Sequence, residues 1–209
     1  MSPKSHLLLQ ALIFLGLCWA ASPRGDGAVL WSEASDGDLS GDFSAPQSLT
    51  VSLGENIVAG RMGQTGDLGA TNGSDADYLA LIVPDGLEVV AITVESYLFS
   101  GGGNPGGGSF LAYGEGADFM GQGFGDIDGY VIFAADAENL LPGLRQDIFG
   151  EVSQTSLGAG EHAFWLQETN PTVVEYSLAF EVVPEPTSLG LLALAFWFGL
   201  GVRRRSWSI

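Results

Sequence analysis

Val174, Tyr176, Leu178, Phe180 and Val182 are apolar at every second position, with Glu175, Ser177 and Glu181 between them. Strand side chains alternate between faces with a period of two, so this stretch buries one face and wets the other. His162, Phe164 and Leu166 alternate in the same way with Ala163, Trp165 and Gln167, ahead of the break Thr169-Asn170-Pro171. The spacing predicts a hairpin with an apolar inner face.

Shorter runs upstream carry the same signal. Leu49, Val51 and Leu53 alternate with Thr50 and Ser52, and Gly54-Glu55-Asn56 turns the chain into Ile57 to Gly60. Tyr78 to Val83 is almost continuously apolar, as in a strand buried on both faces. Pro84-Asp85-Gly86 places Pro and Gly where a turn favours them. Val90, Ile92 and Val94 alternate with Ala91, Thr93 and Glu95, and Phe110 to Tyr113 and Tyr130 to Ala134 are further strands. A short helix is expected near Ala135 to Leu141. With 31 glycines supplying turns, about eight strands predict an all-β fold, a β-sandwich.

The ends differ from this body. Lys4 precedes an apolar run from Leu7 to Trp19, and Cys18-Trp19-Ala20 places small residues where a signal peptidase reads them. Met1 to Ala20 is therefore expected to be a signal helix, too short for a membrane span of roughly 20 apolar residues. Leu15-Gly16-Leu17-Cys18 has the form of a lipobox, but bulky Leu17 stands where a small residue belongs. At the other end, Val183-Pro184-Glu185-Pro186-Thr187 leads into an uncharged run from Leu189 to Val202, followed by Arg203, Arg204 and Arg205. As a helix those 14 residues reach roughly 21 Å, short of the about 30 Å of a bilayer core. The arginines would stop transfer and hold that end in the cytoplasm. The division expected is a signal peptide at 1–20, a β-sandwich body at 21–183, and a tail at 184–209 with a short transmembrane helix.

The body holds Arg24, Arg61 and Arg145 against 24 acidic residues, a formal charge of −21. Such a surface repels phosphate backbones and anionic lipid, which argues against nucleic-acid partners. Cys18, the sole cysteine, lies in the signal segment, so the mature chain would have no disulfide and no thiolate chemistry.

Asp36, Asp38, Ser40 and Asp42 are oxygen donors spaced by two, with Gly41 before the last, like the first half of an EF-hand loop. They are candidate calcium ligands, although Gln47 at the twelfth position lacks the bidentate carboxylate. Asp126 and Asp128 are a second candidate. Gly101, Gly103 and Gly106 fit G-x-G-x-x-G, but Pro105 and the following glycines forbid the helix a dinucleotide site needs. Asn72-Gly73-Ser74 fits a glycosylation sequon within a loop. For catalysis, the mature chain offers one histidine, His162, in phase with packed neighbours, and no G-x-S-x-G elbow. An enzyme is not expected.

The order of Pro184, Glu185 and Pro186, a short apolar helix and an arginine cluster resembles the PEP-CTERM sorting signal of Gram-negative bacteria. That resemblance implies processing by an exosortase, a membrane-embedded cysteine transpeptidase. It also implies inner-membrane anchoring before processing, then residence at the cell surface or in the matrix with exopolysaccharide and biofilm. Between the ends, Asp36-Gly37-Asp38-Leu39-Ser40-Gly41-Asp42, Asp75-Ala76-Asp77-Tyr78, Val83-Pro84-Asp85-Gly86 and Leu157-Gly158-Ala159-Gly160-Glu161-His162 resemble the pre-peptidase C-terminal (PPC-like) domain. That resemblance implies a jelly-roll-like antiparallel β-sandwich that serves as an accessory module, sometimes with calcium and sometimes contacting polymers, without chemistry of its own. A non-catalytic surface or matrix protein is the leading expectation. A second is a calcium-dependent carbohydrate- or polymer-binding module presenting Trp31, Tyr113 or Phe124, and a third is a small glycan hydrolase using two carboxylates.

Overall fold

The computed structural model describes residues 27–63, 75–100, 108–119, 127–134, 139–144, 156–170 and 172–186. Nine strands are described: β1 (Ala28–Ser32), β2 (Gln47–Thr50), β3 (Gly54–Gly63), β4 (Ala76–Val83), β5 (Leu87–Ser100), β6 (Ser109–Glu115), β7 (Gly129–Phe133), β8 (Gly160–Glu168) and β9 (Val173–Pro184). Two four-residue helices accompany them, α1 (Glu33–Asp36) after β1 and α2 (Leu141–Leu144). The expected helix near 135–141 thus begins at Leu141, and 135–138 lie outside the described residues.

The strands form two sheets, ordered β1-β3-β9-β5 and β2-β4-β8-β6-β7. One apolar core joins their inner faces: Val58, Met62, Leu178 and Phe180 from the first meet Leu79, Leu81, Leu111 and Phe164 from the second. Phe164 and Phe180 meet edge to face, with ring centroids 5.6 Å apart. The chain is therefore mostly β, in two facing sheets.

Both sheets are mixed, which corrects the antiparallel expectation. β1 runs parallel to β3, and β2 parallel to β4. Parallel neighbours need a crossover, and here the chain makes it by laying a strand in the opposite sheet before returning. The first five strands alternate between sheets in this way.

The expected hairpin of β8 and β9 is also corrected. β8 pairs with β4 and β6, whereas β9 pairs with β3 and β5. The two strands arch over the core and face each other across it. Their alternation is as read: Phe164, Leu166, Val174, Leu178 and Phe180 are all inaccessible. A hairpin and an arch require the same period of two, because each buries one face of each strand.

β4 is buried on both faces, as its apolar run predicts. Leu79, Leu81 and Val83 enter the core, while Tyr78 packs in a second cluster with Phe119 and Ala163, flanked by Phe43 and Trp165. β5 departs from simple alternation. A bulge between Val89 and Ala91 turns Val89, not Val90, into the core, and Ile92 and Val94 follow it inward. At the first corner the alternation ends at Val51, and Leu53 is 62% exposed. Asn56 is inaccessible there. Its Oδ1 accepts from Ser52 N at 2.9 Å, and its Nδ2 donates to the Ser52 and Gly54 carbonyls at 2.7 and 2.9 Å.

Candidate functional site

Among the described residues, two of the places that gather polar groups bear on function. The first lies where β1, β3, β4 and β9 come together. Asp77 belongs to β4 and points the same way as Leu79 and Leu81, so its carboxylate is driven into the core, with no solvent exposure. Tyr176 of β9 donates to its Oδ2 at 2.7 Å, while Oδ1 is buried without a hydrogen-bond partner. Glu33, opening α1, is fixed by two backbone donors: Leu39 N to Oε1 at 3.3 Å and Arg61 N to Oε2 at 2.7 Å. Gly60 makes this approach possible. A Cβ there would lie 2.7 Å from the Tyr176 hydroxyl and 2.8 Å from Glu33 Oε1.

Glu33, Asp38 and Asp77 each bring a carboxylate oxygen within 4.8 Å of the other two. Glu33, Asp38, Gly60, Arg61, Asp75 and Tyr176 line a groove of about 760 Å³ over them. The electrostatics follow from crowding acids in a partly dry place. Burial raises Glu33 from 4.5 to about 6, against the pull of the Arg61 and Leu39 amides. Asp75 rises from 3.8 to about 7, through burial first and then the charges of Asp38 and Glu33, with Arg61 opposing. Burial carries Asp77 well above the ordinary range, as it does the Tyr176 hydroxyl, which the Asp77 charge raises further. Partial desolvation also raises Asp38, and a hydrogen bond with Glu33 opposes it.

Of the four proposed calcium ligands, only Asp38 enters this cluster. Asp36 Oδ2 turns back to accept from Ser32 N at 2.9 Å and Ser35 Oγ at 3.1 Å. Ser40 Oγ donates to the Ala45 carbonyl at 2.8 Å. Asp42 Oδ1 accepts from Ser44 N and Oγ, which lowers its pKa. Spacing by two put Asp36 and Asp42 in local turns and did not make the set converge. Glu33 and Asp77 were not expected. The available signal was the phase of Asp77, which places a charge on the inward face of an apolar strand.

The remaining candidates resolve unevenly. Asp128 Oδ2 accepts from Glu115 N at 2.8 Å, and Asp126 lies outside the described residues. Tyr113 is 1% exposed, so it presents no ring to a polymer, and Trp31 is half-buried with its Nε1 donating to the Gly37 carbonyl at 3.0 Å. Phe124, Asn72-Gly73-Ser74 and the glycines at 101–106 lie outside the described residues. His162 is packed, as its phase predicts: Nε2 meets the Gly158 carbonyl at 2.8 Å and Nδ1 the Tyr113 hydroxyl at 3.1 Å. The Gly158 carbonyl can only accept, so Nε2 donates there, while the Tyr113 hydroxyl can either donate or accept.

The second place is the exit of β9. Pro184 ends the strand opposite Leu87. Glu185 N donates to the Gly86 carbonyl at 2.8 Å, and Glu185 Oε1 accepts from Ala159 N at 3.3 Å. Pro186 is exposed, and Arg203, Arg204, Arg205 and the expected apolar helix lie outside the described residues. Among the described residues no helix is long and apolar enough to cross a membrane.

Residues 182–205 match the family described as the PEP-CTERM protein-sorting motif. The chain carries a PEP-CTERM sorting motif. Pro184, Glu185 and Pro186 sit inside the match, as does the arginine cluster. Such a motif implies export, anchoring in the membrane and then exosortase processing. No curated protein matches the chain, and no solved structure does.

Proposed function

We propose that this is an exported, non-catalytic surface protein whose PEP-CTERM tail is removed by an exosortase, leaving the β-sandwich at the cell surface or in the extracellular matrix. The match over residues 182–205, placed where the last strand leaves the body, carries this reading. In this reading residues 1–20 direct export, 21–183 are the cargo, and 184–209 anchor the chain until processing. The exopolysaccharide setting rests on the resemblance of the tail to PEP-CTERM signals, which are typically encoded in bacteria that make exopolysaccharide and biofilm.

The body reads as a jelly-roll-like, PPC-like accessory module. The insertion of β9 between β3 and β5, facing β8 between β4 and β6, supports the jelly-roll description. The absence of catalysis is supported by His162, whose ring nitrogens are both engaged within the fold.

The test is mass spectrometry of the C-terminus in the bacterial host, with and without its exosortase. The tail is expected to be absent in the parent and retained in the deletion strain. Loss of the tail in both strains would refute exosortase sorting.

A further inference from the structure

We propose that Glu33, Asp38 and Asp77 form a calcium site that ties the segment after β1 to β4, across the two sheets. Three observations carry it, and none depends on the sorting tail.

The first is convergence from distant segments. Glu33 opens α1 and Asp38 follows its end, beside the four-stranded sheet, while Asp77 belongs to the five-stranded one. Their oxygens span no more than 4.8 Å. Oxygens that close can share one calcium ion, whose bonds are about 2.3–2.6 Å. Three carboxylates gathered by the protein itself suit calcium, whereas magnesium keeps several waters and usually takes one or two carboxylates.

The second observation is Asp77 itself. It is fully buried, Tyr176 serves Oδ2, and Oδ1 has no donor. Asp77 thus stands among carboxylates with a buried oxygen that lacks the partner such groups almost always have. A hard cation supplies it.

The third is the preparation of the surroundings. Glu33 is held by two backbone amides, and Gly60 omits the Cβ that would collide with Glu33 and Tyr176. The donors are all oxygen, the chemistry of calcium rather than of zinc or copper. Asp75 lines the same groove, and water entering the groove would complete the shell.

The experiment uses the full-length chain in nonionic detergent, stripped with EDTA and dialysed free of it. Calcium and magnesium are titrated calorimetrically, and thermal unfolding is followed by circular dichroism. Wild type is expected to take up one calcium ion per chain and to melt at higher temperature as calcium rises, since a ligand of the native state stabilises it by mass action. Asp77→Asn and, at the exposed rim, Asp38→Asn should each weaken calcium at least tenfold while keeping the native spectrum. Asp36→Asn and Asp42→Asn should bind as wild type does. The proposal is overturned by no uptake and no melting shift at about 10 mM calcium, above the range of extracellular sites. Calcium affinity unchanged in folded Asp38→Asn, or lost in Asp36→Asn and Asp42→Asn, overturns it as well. Magnesium binding as tightly as calcium overturns the assignment to calcium.

Discussion

Raising the pH from about 4 to about 7 should destabilise the metal-free body. Burial and mutual repulsion set Glu33 at about 6 and Asp75 at about 7, whereas carboxyls of an unfolded chain titrate near 4. Between those limits the native state holds protons that the unfolded chain has already released. Stability contributed by such groups is complete below about pH 4 and is lost as pH rises through their folded values. At about 1.4 kcal/mol per pH unit, full weight would be about 2 kcal/mol for Glu33 and about 4 for Asp75. Both line an open groove, where solvent screening reduces such figures, so about half is the better expectation: roughly 3 kcal/mol together. Asp77 is displaced in the same direction and adds to the fall.

Urea unfolding in EDTA, from about pH 4.5 to about pH 7.5, measures this. The body's charge of −21 also opposes compaction as pH rises, through diffuse repulsion. About 1 M NaCl shortens the Debye length to about 3 Å and suppresses that background, leaving the local effect. Asp75→Asn should then remove the larger part of the slope. Stability that stays level or rises with pH at high salt would refute the reasoning, as would an unchanged slope in Asp75→Asn.

Three substitutions probe the frame. Asn56→Ala removes the side chain that satisfies Ser52 N and the Ser52 and Gly54 carbonyls, and should cost about 3 kcal/mol in a denaturant titration. Phe164→Ala opens a cavity against Phe180 in the middle of the arch, with an expected loss of about 3–5 kcal/mol in the same measurement. Gly60→Ala forces Glu33 or Tyr176 aside, and should cost about 1–3 kcal/mol in thermal unfolding and weaken any cation bound by Glu33.

The inward faces of β4 and β9 were legible in the sequence, since period and phase depend only on neighbouring residues. So was the turn at Pro84 to Gly86, which Leu87 N closes on the Pro84 carbonyl at 3.1 Å with Gly86 at φ +79°. Partnership was not legible. Val174 meets Met62 across one ladder and Phe99 across the other, and nothing local to Val174 names either residue. The Val89 bulge escaped for a related reason, because Val89 and Val90 are chemically alike and the register against β9 selects between them. The acidic site follows the same division. Regular spacing within 36–42 drew attention to one loop, but convergence was decided by the packing of one sheet on the other, which brings Asp77 near Glu33. Only Asp38 belongs to both sets.

The geometry of β9 also limits where processing can cut. β9 is flanked on both sides, by β3 and β5, and its ladder with β5 runs to Pro184 opposite Leu87. Glu185 extends the attachment through Gly86 and Ala159. Cleavage upstream of Pro184 would strip paired residues, first Pro184, then Val183 and the buried Val182, and progressively expose core that the sandwich has closed. Cleavage at Glu185 or beyond leaves the ladder whole, and the exposed Pro186 is where the chain leaves the body. Intact-mass measurement of processed protein from the host should therefore place the new C-terminus at Glu185 or later. A terminus before Pro184 on protein that retains native stability would refute the constraint, because the last strand would then be dispensable to the sheet it closes.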